Sequence, residues 1–586
     1  MPYRAPLADI THALNDIAGL GAAIEAGRLG DLSADMVDAI LAEAGRFADE
    51  RLTPLLRSGD RPGARFSDGA VTMPPGWTEA YRAWREAGWN GLTGPETFGG
   101  QGLPTMLSVA TLELWNSASS SFAIGPTLTI GAIEALVHHG SDALKADYLE
   151  KLVTGEWMGT MNLTEPQAGS DLALLMARAE RAGDGTYRIF GTKIFITFGE
   201  HDLCENIVHL VLARLPDAPS GTRGISLFLV PKFLVGPDGA LGARNDVRAA
   251  GIEHKMGLHG SPTCTMIFGD AGGAVGYLVG EEHRGLTCMF TMMNNARLAV
   301  GIQGVAIAEA ATQHALAYAR DRKQGRARGA ATTSAIIEHP DVRRMLLTQK
   351  ALTAAARAIC HVCAHAIDMG RLGEGTTAWA DRAGILTPLA KAFSSEIGVE
   401  VSSLGVQIHG GMGYIEETGA AQFLRDARIA PIYEGTNGIQ AIDLVTRKLP
   451  LSGGAAWAAF LGELEGEAVA LAAFKRPDLG RTSAAVAEAV ARLRRASASI
   501  IADLEREPDA ALAVATPFLR LASLAAGGAF LSRGVRATIT ADRAEASARI
   551  ALTRFYAEHV LSETAALEDC VTGGAAAILA ADAVFG

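Results

Sequence analysis

The chain has 586 residues, 49% of them hydrophobic and 20% charged, with a formal net charge of −12. That length accommodates several domains with large apolar cores, and the acidic balance argues against wholesale binding to nucleic acid or to an anionic membrane. The N-terminal stretch MPYRAPLADITHAL lacks the charged, apolar and small-residue succession of a signal peptide, and six cysteines in so long a chain do not suggest a disulfide framework, so a cytoplasmic protein is expected.

From Pro6 to about Leu152 the pattern is mostly helical, for example over Ala34 to Arg51 and Met106 to Ser117, with the Gly- and Pro-rich loop GLTGPETFGGQGLP between. The longest uncharged run, Leu114 through Ile133, contains Asn116, several serines and two threonines and is too polar for a membrane span. After Gly155 the texture changes. Asp184-Gly185 between apolar runs predicts a hairpin turn, and NIVHLVLARL and GISLFLVPKFLV read as buried strands. The β-rich part continues through HKMGLHGSPTCTMIFGD to GYLVGEEHRGL.

Helices then return. Leu298, Ile302, Val305 and Ala308 fall on one helical face, with Gly301 and Gly304 permitting another helix to approach closely. Further helical patterns run from Asp341 to Met369 and from Leu386 to His409. The break LPLSGGAAW opens a last region of about 135 residues, where Val486, Val490, Leu493, Ile500 and Leu504 recur at helical spacing. The order helical, β, helical, helical predicts a mixed α and β fold with divisions at 1–154, 155–284, 285–449 and 450–586. Cys360 and Cys363, with His361 and His365 nearby, have C-x-x-C spacing but no second matching pair. Buried structural thiols are expected there, and no metal.

Four stretches in this order carry the chemistry: MNLTEPQAGSDL (Met161–Leu172), KIFIT (Lys193–Thr197), QIHGGMGY (Gln407–Tyr414) and PIYEGTNGIQ (Pro431–Gln440). Together they resemble the acyl-CoA dehydrogenase family, and the match extends across roughly Pro6 to Leu449. The extra C-terminal domain, the start MPYRAP, the FGGQGLP loop, KMGLHGSPT and DRKQGR are most similar to the extended branch that contains 3-methylmercaptopropionyl-CoA dehydrogenase.

The resemblance implies a helical domain, a central β domain and a second helical domain, plus the additional helical domain. It also implies FAD-dependent conversion of an acyl-CoA to a trans-2-enoyl-CoA, with 3-methylmercaptopropionyl-CoA or a short- or medium-chain acyl-CoA as substrate. Glu434 would remove the pro-R α-proton while the β-hydrogen leaves as hydride to flavin N5. A carboxylate in an apolar cleft has the raised proton affinity such a base needs, and the backbone N–H of Glu434 with a ribityl hydroxyl of FAD would stabilise the thioester oxygen. From the residues alone, Glu434 is equally a helix-terminal acid or a partner of Arg425 or Arg428.

The same resemblance assigns cofactor contacts to Met161, Leu163, Thr164, Ser170, Phe195, Thr197, Arg322, Gln407, Gly410, Gly411 and Thr436. Substrate contacts go to Ser170, Arg297, Tyr433 and Gly435. Phe195 stands where many relatives have Trp and keeps the aromatic shield while losing the indole donor. Arg322 and the Gln407 turn would reach the FAD of a neighbouring subunit in a homodimer; the glycines there do not follow a strand in a βαβ unit, so a Rossmann reading fails. Blander readings stay open: a β-turn at Pro166 and Gly169, a half-buried strand at Phe195 and Thr197, a turn between helices at Gly410, a solvated cluster at Arg322 and an interhelical ion pair at Arg297. Electrons would pass to an electron-transfer flavoprotein. The alternatives are an acyl-CoA oxidase, or a flavoprotein that binds DNA or protein through Arg492, Arg494 and Arg495.

Overall fold

The computed structural model describes residues 3–372 and 375–585; Met1 and Pro2 of the MPYRAP start lie outside the described residues. Contacts gather the chain into two compact units. One comprises Phe47–Pro104 and Ala118–Ala296, the other the described part of Met1–Arg46, Thr105–Ser117 and Arg297–Gly586.

The first unit is built on an eight-stranded sheet. Its strands are β1 (Trp157–Asn162), β2 (Arg178–Arg181), β3 (Tyr187–Thr197), β4 (Asn206–Arg214), β5 (Ile225–Pro231), β6 (Val247–Ile252), β7 (Thr263–Phe268) and β8 (Ala274–Val279). They lie in the order β6-β7-β3-β8-β5-β4-β1, with β2 pairing β3 and β4. Only β1 with β4 and β2 with β4 run parallel. β2 and β3 form the hairpin expected at Asp184-Gly185, pairing Arg181 with Tyr187, and Gly185 supplies the left-handed turn residue at φ +85°. Every residue of β5 is buried, as is all of β4 except Arg214. Burial on both faces explains why these strands read as continuous apolar runs without alternation. Gly159 on β1 lets the helix α1 (Thr105–His139) settle on the sheet, since a Cβ there would lie 2.5 Å from that of Ala132. Among the described residues α1 alone is long and apolar enough to cross a bilayer, yet 78% of its most apolar window is buried, as in a core helix.

The second unit is helical. Its long elements are α2 (Gly285–Asp321, from Arg297 onward), α3 (Pro340–Arg371), α4 (Thr376–His409), α6 (Ala455–Ala472), α7 (Thr482–Arg506) and α8 (Ala515–Thr540), with the short helix α5 (Asn437–Asp443) between α4 and α6 in the chain. Gly301 and Gly304 bring α2 onto α4 at backbone distance. A Cβ on Gly304 would lie 2.2 Å from the Ser394 carbonyl oxygen, and one on Gly301 2.5 Å from that of Ala390. Buried Arg357 on α3 donates to Glu113 on α1 at 2.6 Å and to Glu309 on α2 at 2.8 Å, so one guanidinium ties three helices together. Cys360 and Cys363 are buried against α4, with Sγ 3.4 Å from Ser394 Oγ and 3.7 Å from Thr387 Oγ1 respectively.

After Leu449 the chain breaks through Ser452, Gly453 and Gly454, all three at positive φ, before α6 begins. On α7, Val486, Val490, Leu493 and Ile500 are fully buried and Leu504 half-buried, the helical stripe read from the sequence. α8 is the central helix of this region and rests on α3 at Gly527, where a Cβ would meet that of Ala355 at 2.9 Å.

Candidate active site

Glu434 sits in a loop whose ends are tied together. The Asn437 N–H donates to the Pro431 carbonyl at 3.0 Å, and Thr436 caps α5 by accepting from the Ile439 N–H at 3.2 Å. Between these ties Glu434 and Gly435 are both left-handed, at φ +57° and +82°. For Glu434 that conformation costs about 1–2 kcal/mol, and such strain concentrates where a side chain is held for function. Gly435 is required on two counts: its φ, and the Gln440 amide nitrogen that would lie 2.9 Å from an added Cβ.

Glu434 is half-buried. Loss of water pushes its carboxyl from 4.5 up to about 7, against the opposing pull of the Arg297 and Lys391 cations. Arg425 is engaged with Glu416 at 2.8 Å. Arg297 faces both Asp443 and Glu434, and burial lowers its proton affinity; its Nη2 would stand 3.9 Å from a Cβ on Gly435. The ion-pair and cleft readings of Arg297 therefore describe one position. Tyr433 turns its hydroxyl to donate to Gln303 on α2, which fixes the residue beside the acid.

One residue outside the motifs completes this cluster. Lys391 on α4 is fully buried and donates to Asn437 Oδ1 at 2.9 Å. The available signal was a lone lysine in the apolar run LTPLAKAF.

The β unit gathers Met161, Leu163, Thr164, Phe195 and Thr197. β3 carries a bulge opposite β7: Cys264 pairs with Ile196 and Met266 with Lys193, leaving Ile194 and Phe195 together against Thr265. Phe195 is the left-handed residue of that bulge, at φ +59°, and its side chain is displayed at 59% exposure, with Thr197 half-buried beyond it. Beneath lies a buried ion pair, also missed from sequence. Lys193 donates to Glu165 at 2.8 Å and to the Leu163 carbonyl at 2.9 Å, and Glu165 accepts from the N–H groups of Met176 at 2.7 Å and Ala177 at 3.0 Å. Thr164 is held by its carbonyl, which accepts from the Ile194 N–H at 2.9 Å. The turn at Pro166 is present, with Glu165 and Ala168 exchanging backbone bonds of 2.9 and 3.0 Å. Ser170 is exposed just beyond it.

The helical unit gathers a second exposed set. Tyr318 on α2 stacks on His409 of α4 with centroids 4.4 Å apart, which places the end of α2, with Arg322, beside the end of α4, with Gln407, Gly410 and Gly411. All four are exposed, and a Cβ on either glycine would meet nothing within 4 Å. An aromatic face with a hydroxyl and rigid backbone in one unit, and a fork-shaped cation beside open glycines in the other, fit the ring system and the diphosphate of FAD. The arginines considered for DNA are already paired: Arg492 with Glu488 at 2.5 Å, Arg494 with Glu465 at 2.7 Å and Arg495 with Glu568 at 2.5 Å.

Comparison with known proteins supplies the wider frame. Models of the acyl-CoA dehydrogenase N-terminal, middle and C-terminal domains match residues 35–156, 160–271 and 283–449, and an acetyl-CoA dehydrogenase C-terminal-like model matches 460–582. The chain is 46% identical to 3-methylmercaptopropionyl-CoA dehydrogenase of Ruegeria pomeroyi over 99% of its own length and 100% of that protein's. It is 38% identical to a butyryl-CoA dehydrogenase of Syntrophomonas wolfei, covering 72% of this chain and 71% of that one. Among solved structures, an acyl-CoA dehydrogenase of Bacillus anthracis complexed with FAD superposes with a TM-score of 0.75 at 23% identity, over 93% of this chain and 89% of that one. The chain belongs to the acyl-CoA dehydrogenase family of FAD-dependent oxidoreductases.

Proposed function

We propose that this enzyme desaturates a short acyl-CoA thioester between its α and β carbons, with 3-methylmercaptopropionyl-CoA as the first candidate substrate and Glu434 as the base. The observation that carries the reading is the Glu434 carboxyl, half-buried on a left-handed turn and pushed up to about 7. At that value it is largely ionised just above neutrality and still basic enough to take a proton made acidic by a neighbouring thioester. FAD, when bound, supplies the acceptor for the two electrons and the β-hydrogen that leave the substrate.

The chain's own residues do the rest. Glu434 takes the α-proton onto its carboxylate, and its backbone N–H is available to the thioester oxygen as negative charge develops there. Arg297 limits how far the carboxyl rises, and Tyr433 and Gly435 shape the approach to it. Met161, Leu163, Thr164, Phe195 and Thr197 would hold the ring system, Ser170 the diphosphate or CoA portion, and Thr436 would add a hydroxyl near Glu434. At about 1.5 Å per residue, Arg322 lies about 37 Å along α2 from Arg297. Arg322, Gln407, Gly410 and Gly411 are therefore read as holding the flavin of a second copy in a homodimer, and an electron-transfer flavoprotein as taking the electrons.

An apolar pocket separates a thioether from a methylene chain of equal reach by only about 1–3 kcal/mol. A panel of acyl-CoAs added without oxygen tests the assignment. Flavin bleaching is expected to be fastest with 3-methylmercaptopropionyl-CoA and within about a hundredfold of it with butyryl-CoA. A preference for long chains, or bleaching by none of the panel, contradicts it. Rapid reoxidation by oxygen would identify an oxidase, and a tetramer mass in solution would contradict the dimer.

A further inference from the structure

Lys391 has no part in the reaction as described, yet it is buried at a point where a charge is costly. Ile385, Leu389, Ala392 and Phe393 around it on α4 are fully buried as well. Its ammonium donates to Asn437 Oδ1 at 2.9 Å, an oxygen that also accepts from the Ser395 hydroxyl at 3.1 Å. Asn437 Nδ2 donates to the Ala392 carbonyl at 3.1 Å and to the Glu396 carboxylate at 3.2 Å. The backbone N–H of the same asparagine closes on Pro431 at 3.0 Å. One side chain thus fastens a turn of α4 to the loop that presents Glu434.

A packing role alone does not call for a cation here. Apolar residues of similar volume commonly serve as well as a buried ion, and often better. The charged groups facing the ammonium are Glu434 from the loop, Glu396 from α4 and Arg297 from α2. Burial and Arg297 together bring Lys391 down to about 7, and the two carboxylates oppose that fall. Lys391 and Glu434 therefore titrate as a coupled pair.

Resting on the reading of Glu434 as the base, we propose that Lys391 is a positioning residue, which holds the Glu434–Gly435 turn through Asn437 and whose positive charge sets the pH range over which Glu434 is ionised. Two variants of the FAD-loaded enzyme separate these actions. Lys391→Gln keeps a donor for Asn437 and removes the charge; Lys391→Met removes both.

In anaerobic single turnovers the pH of half-maximal bleaching should rise by about one pH unit in both variants, which adds a loss of up to about tenfold near pH 7 relative to each variant's own plateau at pH 9. The plateau at pH 9 should match wild type in Lys391→Gln and fall several-fold in Lys391→Met, with flavin content unchanged. A readout without turnover accompanies it. The pH at which the thermal midpoint of each Lys391 variant parts from that of the same variant also carrying Glu434→Gln should move upward by the same amount. An unmoved midpoint pH in Lys391→Gln, or equal plateaus in the two variants, overturns the proposal. Bleaching that survives Glu434→Gln defeats the base assignment itself; loss in Glu434→Gln with an unmoved midpoint in Lys391→Gln defeats only the role of Lys391.

Discussion

Glu434→Gln should make the protein more stable above neutral pH while abolishing its activity. In the folded chain the carboxyl is raised from 4.5 to about 7, chiefly by loss of water. Between those two values the folded state keeps a proton that the unfolded chain has released, so stability falls as pH rises across that window. Above it the ionised side chain costs about 3 kcal/mol, reduced to about 2 kcal/mol by the solvent that reaches a half-buried group. The amide never ionises and escapes this cost. Thermal unfolding of variant and wild type, both FAD-loaded, at pH 5 and pH 8.5 reads the difference directly. The gap in midpoint should shift in favour of the variant by a few degrees between the two pH values. A gap independent of pH, or one that moves in favour of wild type on going to pH 8.5, would refute the argument that Glu434 is desolvated.

The other expectations concern the supports of the site. Lys193→Met strands the Glu165 carboxylate in the β unit and should cost about 3–5 kcal/mol in thermal or denaturant unfolding, with part of the loss restored by adding Glu165→Gln. Gly304→Ala forces a Cβ against the Ser394 carbonyl and should destabilise the helical unit by at least about 1–3 kcal/mol, whereas Gly411→Ala, which meets nothing, should change stability by less than about 0.5 kcal/mol. Arg322→Ala likewise should leave the melting temperature within about a degree and lower the flavin-to-protein ratio several-fold after dialysis. An unchanged ratio would remove Arg322 from the cofactor's contacts.

The periodicity of the chain made much of the architecture legible. Largely apolar runs showed where β4, of nine residues, and β5, of seven, would lie, and the paired glycines at 301 and 304 marked a helix crossing that the Ser394 and Ala390 carbonyls now explain. Local chemistry also singled out Glu434, because an acid between Tyr433 and a glycine is conspicuous in the sequence itself. What stayed hidden depends on contacts distant in sequence. Nothing near Phe195 announces that Ile194 and Phe195 share one partner across the sheet; that register is set by β7, some seventy residues on. The Lys391–Asn437 bond joins residues 46 apart, and the Lys193–Glu165 pair joins residues 28 apart. The apolar run around Lys391 hints at burial, but neither lysine's sequence surroundings name its partner.

The central claim is that the Glu434 carboxylate removes the α-proton of the bound thioester. Stopped-flow mixing of 3-methylmercaptopropionyl-CoA with wild-type and Glu434→Gln enzyme, matched for FAD content at pH 8 without oxygen, tests it most directly. Flavin bleaching in the variant should be slower by at least about a thousandfold, near the upper part of the range for loss of a general base. Bleaching within about threefold of wild type would contradict the account.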